Sequence, residues 1–349
     1  MLSRKYTLLA VILILSLVFS ALIIGCEPEE EVVDEPEEEP VDEPEEEPEE
    51  VWPEETIRIV VPYNPGGGVD RMARTVAPYL QDELGVPIVV ENRPGGGGIV
   101  GTESYLGEPA DGSMILHQLD PYISSGILRG GDFDYEDFSF LANFFGSPQT
   151  IFVRDDSPFE TLEELMEGMQ EEDLSFSYIP GSFMLLGPIL LGELVDIEPR
   201  GIPYDGGGPC RTALVAGDVD FVCSDIYATM AAIGEDSTAL AAFAEERDDM
   251  FLEVPTVNEE LEAMGIDEQL PPLANNYYGM INRDVKENYP ERYEILVEAY
   301  RNAFQNPELL EQLEKMEMYP NFMAPDEIEA VSLEVNEVIQ QYREYWVDD

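Results

Sequence analysis

Positive charge is what this chain has least of. Its 349 residues carry 17 Lys and Arg against 75 Asp and Glu, a formal net charge of −58. Lysine occurs only at Lys5, Lys286 and Lys315. So few cations cannot neutralise a phosphate backbone, which argues against nucleic acid as a partner. Histidine is a single residue, His117, and cysteine is confined to Cys26, Cys210 and Cys223. One histidine is too few for a His-rich zinc site, and no Cys-x-x-Cys pair suggests a redox motif or zinc ribbon. A Ser-His-Asp hydrolase would have to use His117, and no Gly-x-Ser-x-Gly elbow accompanies it. No phosphate-binding Gly-x-x-x-x-Gly-Lys loop is present either. These absences leave no cofactor, metal or catalytic residue to assign. An extracellular hydrolase using carboxylates alone stays open, because acids are plentiful, yet no pair of them is singled out.

The leading segment, residues 1–26, has Arg4 and Lys5 before an apolar run from Leu8 to Ile24, and it closes on Ile23-Ile24-Gly25-Cys26. It reads as a lipoprotein signal peptide with a lipobox, in which Cys26 is lipidated; an uncleaved membrane anchor is the alternative. Either reading leaves the remainder extracytoplasmic and tethered to the lipid bilayer. Residues 27–51 form an acidic Glu/Pro linker, with sixteen carboxylates and no base between Glu27 and Glu50. Such a run buries no core and repels itself into an extended stalk of ~75 Å at ~3 Å per residue. A partner-binding tail is the other reading. Setting aside those sixteen acids, with Arg4 and Lys5, leaves 59 acids and 15 bases, a net charge of −44 for the body. That composition is halophile-like, fitting concentrated salt, where the screening length contracts to about 3 Å near 1 M. Cys210 and Cys223 could form a disulfide or remain separate buried thiols.

The body alternates apolar strand-like runs with helical stretches, the mark of an α/β fold with largely parallel strands. Strands are expected at 57–62, 88–91, 114–118, 138–145, 150–154, 174–178, 201–204, 219–223, 239–244 and 276–281. Helices are expected at 69–84, 162–170, 182–195, 210–216, 226–233 and 326–345. Two glycine-rich turns each follow a strand and open a helix. The first is Pro62-Tyr-Asn-Pro-Gly-Gly-Gly-Val-Asp70 and the second Arg93-Pro-Gly-Gly-Gly-Gly-Ile-Val-Gly101. Glycine allows positive φ and close backbone approach, and a helix start offers unpaired N–H groups and about half a positive charge. Together these suit an anion. In the first turn Tyr63, Asn64, Gly66, Gly67 and Gly68 are candidate ligand contacts. Asp70 either braces the turn or meets a cationic group of the ligand. The second turn contains the formal dinucleotide pattern Gly96-x-Gly98-x-x-Gly101, but it follows the second strand and reads better as a flanking loop. Later strand ends contribute Ser177, Gly181 and Ser182, then Gly206 and Gly207, then Asp225. Gln149, at the expected crossover, is a candidate side-chain donor.

Residues 59–74 (Ile-Val-Val-Pro-Tyr-Asn-Pro-Gly-Gly-Gly-Val-Asp-x-x-Ala-Arg) resemble the opening of the Bug-type, or TctC-like, substrate-binding proteins of tripartite tricarboxylate transporters. So do Gly85-Val-Pro-Ile-Val-Val-Glu-Asn-Arg-Pro94, Pro109-Ala-Asp-Gly112, Pro203-Tyr-Asp-Gly-Gly-Gly-Pro209, Ala216-Gly-Asp-Val-Asp-Phe221, Val254-Pro-Thr-Val-Asn258 and Tyr278-Gly279, in the same order. The resemblance implies a two-lobe, type II periplasmic-binding-protein-like flytrap. Residues 52–152 and 245–349 would form lobe 1, and 153–244 lobe 2. It also implies a small carboxylate ligand (a di- or tricarboxylate, aromatic acid or amino acid) held between the lobes and delivered to membrane permease subunits. A ligand-binding module feeding a membrane sensor is the alternative. Asp205 stands where the family often has Lys, and Cys223-Ser224-Asp225 where it often has Phe-Asp-Asn. Both departures lie in the expected second lobe.

Overall fold

The computed structural model describes residues 52–316, 318–320 and 322–346; Cys26, the leading segment and the acidic linker lie outside the described residues. Nine strands run as β1 (Ile57–Val61), β2 (Ile88–Asn92), β3 (Met114–Asp120), β4 (Phe138–Arg154), β5 (Ser175–Tyr178), β6 (Arg200–Pro203), β7 (Phe221–Asp225), β8 (Ser237–Ala242) and β9 (Ala274–Asn282). They form one mixed sheet in the order β2-β1-β3-β9-β4-β7-β5-β6, with β8 also on β4. The β1–β2, β1–β3, β5–β6 and β5–β7 pairs are parallel. β9 is antiparallel to both β3 and β4.

β4 is where the sheet changes hands. From Phe138 to Pro148 it pairs with β9, and from Gln149 onward it pairs with β7 and β8. The sequence reads this stretch as two strands, because Gly146 and Pro148 interrupt the apolar pattern. Pro148 lacks an N–H, but it falls where β4 exchanges one neighbour for another, so no continuous ladder is broken.

Helices cover the sheet: α1 (Gly68–Leu84), α2 (Ile99–Leu106), α3 (Tyr122–Leu128), α4 (Leu162–Glu171), α5 (Phe183–Leu194), α6 (Gly207–Ala216), α7 (Ile226–Ile233), α8 (Val257–Ala263), α9 (Arg283–Asn288), α10 (Pro290–Ala303), α11 (Pro307–Lys315) and α12 (Pro325–Gln341). α1 buries Val69, Met72, Val76, Leu80 and Leu84 at helical spacing, and Gly85 ends it in the left-handed region at φ 70°. It continues through Pro78. α12 stops at Gln341 and a short 3₁₀ turn, Arg343–Tyr345, follows, so the expected helix to Tyr345 ends early.

One apolar cluster joins α1, α10 and the faces of β1 and β7, from Ile59 and Met72 to Val222 and Ile226. A second gathers Leu165, Phe176, Leu190 and Phe221 with Leu261 of α8 and Ile339 of α12. α12 also places Ile328 against Val60 and Tyr278, so it braces the sheet on both sides of the β4 exchange. Cys210 and Cys223 are separate, buried thiols.

Candidate ligand site at the strand β4 exchange

The first glycine turn begins as β1 ends. Gly66 takes φ +85°, a value side chains avoid, and Gly67 precedes α1 without any side-chain cap. The Gly66 N–H donates to Asp70 Oδ2 at 2.8 Å and the Gly67 N–H to the Asn64 carbonyl at 3.4 Å. The free donors of this turn are therefore those at the helix start itself, from Gly68 onward.

Asp70 is a brace. Its other oxygen accepts from Arg74 Nε at 3.0 Å, and Arg74 reaches on to Asn92 at 2.8 Å. Burial alone would raise its pKa, but the Gly66 N–H, Arg74 and Asn92 outweigh that and hold it below the usual carboxylate value. Tyr63 turns inward to Gln118 and packs edge-on against Tyr122, ring centroids 5.7 Å apart. Asn64 stays exposed. Gly68 is hemmed in: a Cβ there would lie 2.9 Å from the Tyr277 hydroxyl.

The second glycine turn buttresses the first. Gly95 to Gly98 all have positive φ, and a Cβ on Gly98 would meet the Tyr63 ring at 3.1 Å. On Gly101 it would strike the Arg93 carbonyl at 2.2 Å. Backbone closeness explains these glycines.

From beyond the exchange, Gly181 at φ +77° meets α3, where its Cβ would lie 2.7 Å from Ser125 Oγ. Ser182 precedes α5 and donates to the Ile179 carbonyl at 2.7 Å. Ser177 is buried and donates to the Cys210 carbonyl at 3.1 Å, tying β5 to α6. Gly206 precedes α6 with no side-chain cap, and the Arg211 guanidinium folds back over Gly207. Asp225 caps α7, its Oδ1 accepting from Ala228 N at 2.8 Å. Burial pushes its pKa up against that bond, Ser147 and Arg211.

Gln149 is the most telling side chain. It is wholly buried, and neither its amide oxygen nor its amide nitrogen has a hydrogen-bond partner. It faces Asp225 across the β4–β7 ladder, and Ser147, two residues back on the same face, is buried beside them. Buried polar groups are normally satisfied, which makes the Gln149 amide a candidate contact for a ligand. Tyr63, Gly68, Gln149, Gly207 and Asp225 thus converge near the exchange, with Gly181 and Ser182 against α3 beside Tyr122. Tyr122, Ser147, Tyr277, Arg71 and Arg211 complete the surroundings, and sequence reasoning missed them. A base directly after a glycine turn, in a chain with so few, was a signal for Arg211.

His117 takes no part in this convergence. It lies in the core with Nε2 2.7 Å from the Tyr300 hydroxyl, and burial pushes its pKa down to about 3. Among the described residues no group of three His, Cys, Asp or Glu could hold a metal ion.

A curled mixed α/β sheet with glycine-rich helix starts gathered at a strand exchange is the architecture of periplasmic solute-binding proteins. The chain belongs to the tripartite tricarboxylate transporter family receptors (TctC), whose family model matches residues 72–341. A Cupriavidus necator protein encoded in the gbd 5′ region is 27% identical over 278 residues, covering 78% of this chain and 81% of its own length. BugT of Bordetella pertussis is 29% identical over 221 residues, 60% of this chain and 67% of BugT. A Pseudomonas protein from the tcbD–tcbE intergenic region is 29% identical, and the match spans 64% of its length. Among solved structures, the periplasmic binding protein BugD superposes with TM-score 0.68 at 23% identity, over 85% of this chain and 99% of BugD. MatC from Rhodopseudomonas palustris, solved with bound malate, gives 0.67 at 24% identity, over 85% and 100%. A second R. palustris protein, solved with adipate, gives 0.66 at 21%, over 84% and 97%.

Proposed function

We propose that this chain is an extracytoplasmic solute receptor, tethered through lipidated Cys26, that captures a small carboxylate at the β4 exchange and delivers it to transporter permease subunits. The observation that carries the reading is the buried, unpartnered Gln149 amide beside Ser147, set between uncapped helix starts at Gly68 and Gly207. A carboxylate there would accept from the Gly68-side N–H groups and from the Gln149 amide. Each such bond to a charged group contributes about 1.5–3 kcal/mol net. Four or five toward the upper end of that range exceed the ~8 kcal/mol of micromolar affinity, and the surplus offsets lost freedom and ordering.

The two expected lobes, 52–152 with 245–349 and 153–244, would move about β4, where the sheet changes partners, and closure would mark the loaded state for the permease. Malate in MatC and adipate in its R. palustris counterpart support dicarboxylates as first candidates. The test is a thermal-shift screen of the full chain at high salt against mono-, di- and tricarboxylates, amino acids, sugars and nucleotides. A ligand at a hundred times its dissociation constant adds about 2.7 kcal/mol of stability. The reading expects a carboxylate among the hits; a response to sugars or nucleotides alone would overturn it.

A further inference from the structure

Arg211 is a cation with no direct ion-pair partner among the described residues, and its Nε is buried with no hydrogen-bond partner. Being four residues into α6 after Gly207, it folds back toward the helix start, and a Cβ on Gly207 would lie 3.0 Å from its guanidinium. On one side a recess of about 630 Å³ opens, lined by Tyr204, Gly208, Thr212 and Asp218 among others. On the other stand Tyr277 and Asp225, both within its electrostatic reach. Asp225 attracts the guanidinium without forming a direct ion pair, and its Oδ1 caps α7. Arg71, in the first turn of α1, lies within electrostatic reach of both Tyr277 and Arg211. An anion placed near both bases would relieve their mutual repulsion and the burial cost of the Arg211 charge.

We propose that Arg211, assisted by Arg71, receives a second anionic group of the ligand, and so makes this receptor select dianions over monoanions of equal length. This rests on the function proposed above: the first carboxylate is held by helix-start N–H groups and Gln149, and the second lies toward the guanidinium. A planar guanidinium matches a carboxylate with two parallel N–H donors, which an amide group does not.

The experiment is calorimetric titration of the full chain and its Arg211→Gln, Arg211→Lys and Arg71→Gln variants with two matched pairs. Malate is compared with 2-hydroxybutyrate, and adipate with hexanoate; each partner replaces one carboxylate by a methyl group. The wild type should favour the diacid of at least one pair. Arg211→Gln should weaken that diacid by about ten- to hundredfold and its monoacid by a much smaller factor, and thermal unfolding without ligand shows that the variant is folded. Arg211→Lys should keep part of the preference, and Arg71→Gln should reduce it by a smaller factor. A wild type indifferent to the second carboxylate, or an Arg211→Gln variant that keeps the full preference, overturns the inference while the carboxylate reading stands. If none of the four acids binds the wild type, the inference falls, and the broader screen above decides the carboxylate reading.

Discussion

At the scale of single residues, the site depends on how closely main chain and aromatic hydroxyls approach one another. Gly67 has ordinary φ of −70°, and a Cβ there meets only the Asn64 carbonyl at 3.5 Å. Gly67→Ala should fold and bind nearly as the parent does. A Cβ on Gly68 collides with the Tyr277 hydroxyl, the free end of a side chain that can swing aside. Gly68→Val should therefore cost only about 1–3 kcal/mol of stability by overpacking, yet lower carboxylate affinity about tenfold or more. Denaturant unfolding and titration of both variants check this, and equal affinities would remove Gly68 from the site. Asp70→Asn should cost about 1.5–3 kcal/mol, the worth of a charged acceptor for the Gly66 N–H. Because the Asp70 pKa is held below its ordinary 3.8, its contribution is present above that value and is lost as pH falls through the folded-state pKa. The parent-minus-variant stability should therefore shrink on acidification.

Between elements, Asp120 has the opposite sign. It ends β3 in full burial and accepts from Tyr278 of β9 at 2.8 Å, from Tyr135 at 2.9 Å and from Ser332 of α12 at 2.9 Å. Burial, its largest influence, pushes its pKa up to about 6 against those hydroxyls. A raised carboxyl pKa means the fold favours the protonated form. That contribution is complete below the unfolded value near 4 and is lost as pH rises through about 6. Asp120→Asn should flatten the stability profile between those limits; an unchanged slope would contradict the assignment. Asp120 also shows what a sequence conveys. Strand and helix periodicity placed β1, β2, β5 and α1, α4, α7 closely, because each alternates or repeats against one core. α3 and α8 escaped notice because each is a single short helix of seven residues. The glycine turns were legible because positive φ and close approach leave a composition signature. Tyr122, Tyr277 and Arg211 were not, since α3, β9 and α6 are brought together only by pairings distant in sequence.

For the whole molecule, charge decides the working conditions. A body of net charge −44 repels itself and any anionic ligand at low salt. Both the melting temperature and the affinity for a dicarboxylate should hold or rise from dilute buffer to about 1 M salt, as screening contracts to about 3 Å. A steep fall in affinity would mean that exposed charge pairs carry the binding. The most direct test of the account lies at Gln149, whose buried, unpartnered amide is proposed to meet the ligand carboxylate. In Gln149→Met the near-isosteric side chain removes that unmet demand. Thermal unfolding of the full chain, with and without saturating dicarboxylate, should show the unliganded variant gaining about 1–3 kcal/mol over the parent while ligand-induced stabilisation disappears. A variant that is no more stable alone and is still stabilised by the ligand as strongly as the parent would contradict the account.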